Sequence, residues 1–226
     1  LEYHLDVNGN PDDRLLRHAF LNSYYQTGLK NLMDIAIINA TKELESSTES
    51  FDEIVKKFQK VDEVPFDFER RRMSVLVKDG TGKTQMITKG AIEEMLKISS
   101  YVEYDGRILP LSDDMRAIVR QKVNALNSNG MRVLGVAQKN DTADVGVFGV
   151  DDECNMVLIG YLAFLDPPKP TAKNAIQALH QHGVGVKVLT GDNDHVSAYI
   201  CQQVGLDASN ILLGKKKKKM SEAEFD

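Results

Sequence analysis

The 226 residues include 42% hydrophobic side chains, enough to close one large core or two modest ones. Lys and Arg number 28 against 33 Asp and Glu, and the net charge of −5 excludes a global electrostatic pull toward nucleic acid or an anionic membrane surface, so any anion must be bound locally. Cys154 and Cys201 form no CxxC pair and have no histidine at ligand spacing, which excludes a disulfide framework and a zinc site. The longest apolar run, residues 156–165, is too short to span a bilayer, and Leu1-Glu2-Tyr3-His4 lacks a signal-peptide layout, so the expectation is a soluble chain in a reducing cytosol.

In chain order, Asn10 is placed to cap a helix whose first turn holds Pro11, Asp12 and Asp13 and whose apolar face is Leu15, Leu16, Ala19 and Phe20. Helical spacing returns in Phe51, Ile54, Val55 and Phe58, in Ile92, Met95 and Leu96, and in Met115, Ile118, Val119 and Leu126 before a terminating Gly130. Residues 73–77 and 85–88 flank the turn Asp79-Gly80-Thr81-Gly82-Lys83, and residues 101–104 and 108–111 flank Asp105-Gly106. Both read as hairpins and imply antiparallel pairing.

From Val157 the pattern changes. A buried-looking strand over residues 157–165 leads through Asp166-Pro167-Pro168-Lys169-Pro170 into a helix carrying Ala172, Ala175, Ile176 and Leu179, which Gly183 ends. Residues 184–189 read as a second strand, 194–204 as a second helix and 211–213 as a short third strand, the β-α-β-α-β order of a parallel sheet. The change of domain falls in the Gly- and Asp-rich stretch 141–155.

Thr190-Gly191-Asp192-Asn193 lies between a predicted strand and helix, where open parallel sheets hold anions on backbone N–H groups and helix N-termini. Its glycine permits a tight turn, its Thr hydroxyl can donate to phosphate and its Asp can hold a cation, although an ordinary strand-to-helix turn accounts for the four residues equally well. Asp166 also ends a strand, as a phosphate-site carboxylate or as a simple turn residue, and the two Asp residues can meet at a magnesium ion only if their strands are neighbours. In Phe66-Asp67-Phe68-Glu69-Arg70-Arg71-Arg72, aromatics beside three arginines suit stacking on a base with a guanidinium on phosphate. A core strand face and a solvated arginine edge are the competing reading. Lys89-Gly90-Ala91 sets a lysine at a helix start, unfavourable for the macrodipole unless an anion is there. His180 and His182 face apart, which argues against a metal pair, and the run from Lys215 to Lys219 reads first as a solvated segment and second as a contact for nucleic acid or anionic lipid.

Phe66 to Val75, Lys89-Gly90-Ala91-Ile92-Glu93, Gly130-Met131-Arg132-Val133-Leu134, Asp166-Pro167-Pro168-Lys169 and Thr190-Gly191-Asp192-Asn193 together resemble P-type cation-transporting ATPases in order and approximate spacing. Residues 27–36, 65–75 and 163–169 are most similar to the bacterial magnesium-transporting branch, and the resemblance covers essentially the whole chain. It implies an α+β nucleotide-binding domain over residues 1–150, an antiparallel sheet flanked by helices. Residues 151–226 would follow as part of a phosphorylation domain, an α/β Rossmann-like segment of haloacid-dehalogenase type.

Residue by residue, Phe66 resembles the aromatic that stacks on adenine, Asp34 the carboxylate near the adenine edge, and Lys89 with Gly90 the lysine-glycine of the ATP pocket. Arg71 and Arg132 resemble the basic residues near the phosphates, and Asp166, Thr190, Gly191 and Asp192 those that orient the γ-phosphate and magnesium. The implied ligands are ATP and Mg2+ with it; the implied partners are transmembrane and actuator domains of the same polypeptide. No nucleic-acid partner, resident metal or direct membrane insertion is expected, and the implied location is the cytoplasmic side of a bacterial inner membrane.

Several features depart from the family pattern. Ile92 stands where many relatives have proline, and the lysine run replaces a mixed polar segment. The Asp-Lys-Thr-Gly-Thr motif of the phosphate-accepting Asp is expected just before Leu1, and the Gly-Asp-Gly-x-Asn-Asp magnesium motif beyond Asp226. The expectation is therefore a chain that binds nucleotide without turning it over, within a parent that couples ATP hydrolysis to magnesium transport through an aspartyl-phosphate. The alternatives are a stand-alone phosphatase or mutase of the same Rossmann-like superfamily, which Thr190-Gly191-Asp192 alone would permit, and a basic interaction module acting through Lys215 to Lys219.

Overall fold

Hairpins build most of the sheet in the computed structural model, which describes residues 1–44, 51–140, 148–209 and 211–212. The chain divides into two compact units, Leu1–Lys122 with Val133–Phe164, and Val123–Arg132 with Leu165–Asp226.

In the first unit, β1 (Tyr3–Asp6) is followed by α1 (Asp13–Tyr25), α2 (Leu32–Glu43) and α3 (Phe51–Lys57). The hairpin β2 (Phe58–Asp67), β3 (Arg72–Asp79) and β4 (Thr84–Ala91) comes next, then α4 (Ile92–Ile98), β5 (Ser99–Tyr104) and β6 (Arg107–Pro110). The division runs through α5 (Asp113–Ser128), β7 (Met131–Asn140) and β8 (Met156–Leu165). The eight strands form one mixed sheet in the order β2-β3-β4-β7-β8-β5-β6, with β1 on β8. The expected hairpins are present: β3 pairs antiparallel with β4 (Val75 opposite Ile87) and β5 with β6 (Val102 opposite Leu109).

Opposed residues share a sheet face, so Val75, Val77, Ile87 and Lys89 look one way while Arg72, Ser74, Leu76, Thr88 and Gly90 look the other. The first face packs on α1, whose Leu15, Leu16, Ala19 and Phe20 are fully buried as their spacing predicts. Each large apolar side chain there contributes about 1.5–3 kcal/mol relative to exposure.

Two boundaries differ from expectation. Asp12, not Asn10, caps α1, its Oδ1 accepting from the N–H of Arg14 at 2.9 Å and of Leu15 at 3.2 Å. Asn10 is consumed in a turn, its N–H donating to Asp6 Oδ1 at 2.8 Å. Phe58 opens β2 rather than closing α3, because it pairs with Asp79 of β3.

The second unit contains α6 (Ala172–Gln181) and α7 (Asp194–Gln203) where helices are expected. Residues 184–189 are not a strand, which corrects the predicted β-α-β-α-β order. Val184 and Val188 are each 47% exposed and Leu189 94%. A strand exists only through a ladder with a neighbour, and none is available to this segment among the described residues. Ile211 and Leu212 are likewise irregular, while Leu213 and the run Lys215 to Lys219 lie outside the described residues. The strand β8, read as the opening of the parallel sheet, instead pairs antiparallel with β1 (Ala163 opposite Tyr3) and parallel with β5 in the first unit.

Candidate functional site

In the first unit the chemistry-bearing residues collect around β4 and the β2–β3 turn. Lys89 is not at a helix start but inside β4, on the face covered by α1, and is 4% exposed. The anion its position demands is a protein carboxylate: Lys89 Nζ donates to Asp34 Oδ1 and to Ser23 Oγ. Asp34 is in the first turn of α2, in a capping box where Asn31 Oδ1 accepts from the Asp34 N–H at 3.0 Å and Asp34 Oδ2 accepts from the Asn31 N–H at 3.1 Å. Gln26 Nε2 adds a hydrogen bond of 2.6 Å to the same Oδ2. Burial pushes the Asp34 carboxyl up, but the Lys89 charge and these hydrogen bonds outweigh it and hold it below the usual aspartate range. Burial pulls the Lys89 ammonium down, and the Asp34 charge opposes that shift.

The turn between β2 and β3 carries the aromatics and arginines. Phe66 is 51% exposed and Phe68 88%, with ring centroids 5.3 Å apart in an edge-to-face pair. Neither is core. The three arginines divide by partner. Arg70 Nη1 and Arg72 Nε each donate to Glu153 Oε2 at 2.7 Å, and Ser74 Oγ donates to Glu153 Oε1 at 2.6 Å. Arg71, in the left-handed region at φ 49°, points elsewhere, its Nη2 donating to Glu94 Oε1 at 2.7 Å. Burial raises the Glu94 carboxyl, and the hydrogen bonds from Arg71 and Lys97 more than reverse that. Gly90 lies directly against this turn, and the Ala91 N–H donates to the Arg71 carbonyl at 3.0 Å.

The second unit brings Arg132, Asp166, Thr190 and Asp192 together. Asn193 caps α7 through its Oδ1 and the Val196 N–H at 2.9 Å, so Thr190-Gly191-Asp192 forms the approach to that helix. Thr190 Oγ1 donates to Asp192 Oδ2 at 3.0 Å and accepts from the Asp192 N–H at 3.1 Å. Arg132 Nη2 donates to Asp192 Oδ2 at 3.0 Å, and its Nη1 lies 3.1 Å from Asp166 Oδ2. Its Nε is 2.9 Å from Asp192 Oδ1, close enough for an ion pair but not aligned for a hydrogen bond. The two carboxylates thus meet at a guanidinium, beside a cleft of about 220 Å³. Nothing lies within 4 Å of a Cβ built on Gly191, so its neighbours leave room for a side chain there.

The family model described as P-type ATPase, cytoplasmic domain N, matches residues 23–171. The chain belongs to the P-type ATPase family. It is 45% identical over 225 residues to the Magnesium-transporting ATPase, P-type 1 of Escherichia coli (strain K12), an alignment covering 100% of this chain and 24% of that protein. It is 44% identical over 214 residues to the Salmonella typhimurium protein of the same name, covering 95% and 23%. A calcium-transporting ATPase of Listeria monocytogenes is 31% identical over 182 residues, covering 80% and 21%. The chain therefore spans about a quarter of the length of the curated relatives it matches. The family resemblance stands, and the bacterial relatives at 44% and 45% identity are named as magnesium-transporting. No helix of this P-type ATPase chain is, among the described residues, long and apolar enough to cross a membrane.

Four residues of these clusters escape sequence reasoning: Ser23 and Gln26 at Lys89 and Asp34, Glu94 at Arg71, and Glu153 at Arg70 and Arg72. Only Gln26 lies near its partner in sequence. Glu153 follows Asp151 and Asp152, in a stretch whose acidity hides the one carboxylate that is buried.

Proposed function

We propose that this chain is the ATP-holding cytoplasmic part of a P-type ATPase that couples ATP hydrolysis, through an aspartyl-phosphate, to magnesium transport. The observation that carries the reading is the β2–β3 turn, where a half-exposed phenylalanine lies five residues from Arg71, whose side chain is 55% exposed and ion-paired with Glu94 while its flanking arginines are held on Glu153. An aromatic face takes a purine ring, and a guanidinium at that distance along the turn takes phosphate oxygens. Phe66 would stack on adenine and Arg71 would meet the phosphates, with Gly90 letting the arginine turn approach β4 and the Lys89–Asp34 pair supporting the site from the α1 side of the sheet.

In the second unit, Asp166, Thr190, Gly191, Asp192 and Arg132 are the residues to which we assign the γ-phosphate and its magnesium. A hydroxyl, a bare glycine backbone and two carboxylates beside a guanidinium suit that anion–cation pair. Bound ATP would supply the phosphoryl group, and Mg2+ would offset its charge. Residues 1–150 would act as the nucleotide-binding domain and residues 151–226 as part of a Rossmann-like phosphorylation domain. The parent would add transmembrane and actuator domains and place this part on the cytoplasmic side of a bacterial inner membrane.

The test is a calorimetric titration of the chain with ATP, ADP and GTP, with and without Mg2+, alongside Phe66→Ala and Lys89→Ala. Saturable adenine-nucleotide binding that both variants weaken, without phosphate release, is expected. A folded chain that binds no nucleotide overturns the reading.

A further inference from the structure

We infer that Glu153 is the positioning residue of the nucleotide site, the group that decides which of three consecutive arginines is left for phosphate. The inference rests on the ATP-binding reading above and deepens it. Glu153 belongs to the loop after the 3-10 turn Val150–Asp152, and its side chain has no exposed surface. A carboxylate so buried must be neutralised and fully hydrogen-bonded. It achieves this with the Arg70 and Arg72 guanidinium groups and the Ser74 hydroxyl, while Ser74 Oγ also lies 2.7 Å from Thr88 Oγ1 on β4.

The consequence falls on the residue between the two arginines. With positions 70 and 72 held on one carboxylate, and Arg70 Nη2 also donating to the Pro65 carbonyl at 2.7 Å, the backbone passes through the left-handed region at Arg71. That conformation is unfavourable for an arginine by itself. It turns the Arg71 side chain away from the Glu153 cluster, so that 55% of it is exposed, with Glu94 as its ion-pair partner. Exchanging the buried and exposed arginines would require Glu153 to release two charge-assisted hydrogen bonds, which are among the stronger contacts a protein makes. Glu153 therefore touches no ligand and acts through Arg71.

The test is a double-mutant cycle in the full 226-residue chain, measuring ATP dissociation constants for the parent, Glu153→Gln, Arg71→Ala and the double variant, with the Arg71 side-chain Nε resonance followed by NMR. Glu153→Gln is expected to weaken ATP binding about tenfold or more and to abolish the ATP-induced shift of that resonance. In the Arg71→Ala background it should change affinity less than about threefold, since residues acting through one another are not additive. Equal losses in both backgrounds would show a general structural role and overturn the inference, as would unchanged affinity in Glu153→Gln. If Glu153→Gln does not fold, Ser74→Ala loosens the same carboxylate without removing its charge and takes its place in the cycle, with the same pattern expected at smaller size. A parent chain that binds no ATP overturns the reading beneath; a parent that binds with an additive cycle overturns only the role of Glu153.

Discussion

A Cβ on Gly90 would stand 2.5 Å from the Cβ of Arg72 and 2.6 Å from the carbonyl oxygen of Arg71. The backbone of β4 and the arginine turn approach this closely because position 90 has no side chain, and the contact is sealed by the Ala91 N–H on the Arg71 carbonyl. Gly90→Ala must push the turn off β4. Overpacking of this kind costs about 1–3 kcal/mol, and ATP affinity should fall with it because the displaced segment carries Arg71. Urea denaturation and calorimetry measure the two effects. An alanine variant with unaltered stability would mean the turn yields freely.

Removing one partner of the buried Lys89–Asp34 pair leaves the other charge stranded. Lys89→Met or Asp34→Asn should each destabilise the chain by about 3–5 kcal/mol, whereas the apolar double replacement should recover much of the loss. Denaturant midpoints of the three variants decide this. Single variants as stable as the parent would mean that water reaches the pair.

The same pair makes acid stability predictable in sign. The folded-state pKa of Asp34 is depressed below the ordinary value of 3.8, so below that value the unfolded chain binds the proton first. The stability contributed by the pair is complete above the ordinary value and is lost as pH falls through the lower, folded value. Asp34→Asn lacks this titration, and its stability should fall less steeply as the pH drops below 3.8. Parallel slopes for variant and parent in acid denaturation would contradict the assignment.

Phe66 and Phe68 are largely solvent-exposed, so neither alanine variant should shift the melting temperature appreciably. If Phe66 stacks on adenine, Phe66→Ala should weaken ATP binding by about 1–3 kcal/mol, on the scale of base stacking on aromatic side chains. A loss of stability larger than the loss of affinity would assign the ring to packing instead.

Arg132 is 38% exposed and Asp166 67%, so their pairing belongs to the weak surface class of about 0–1 kcal/mol. Arg132→Ala should therefore leave stability nearly unchanged and, if the guanidinium addresses phosphate and not the base, lower affinity for ATP more than for adenosine. Equal losses for both ligands would remove Arg132 from the phosphate site.

The elements legible in the sequence are those whose signal is local. Leu15, Leu16, Ala19 and Phe20 repeat with the helical period, and the Gly-bearing turns at residues 79–83 and 105–106 announce their hairpins, so α1 and two antiparallel pairs follow directly from residue order. The motifs around Phe66, Lys89, Arg132, Asp166 and Thr190 are local in the same sense, and together they carried the family. Tertiary structure alone decided who neutralises whom. Lys89 finds Asp34 at 55 residues' separation and Arg72 finds Glu153 at 81. Nothing in either neighbourhood marks the partner, because burial and not sequence spacing makes an ion pair obligatory. Residues 184–189 fail for the complementary reason. Their apolar run satisfies the composition of a strand, but a strand is completed only by the backbone of another segment, and no periodicity within a segment reports whether that neighbour is at hand.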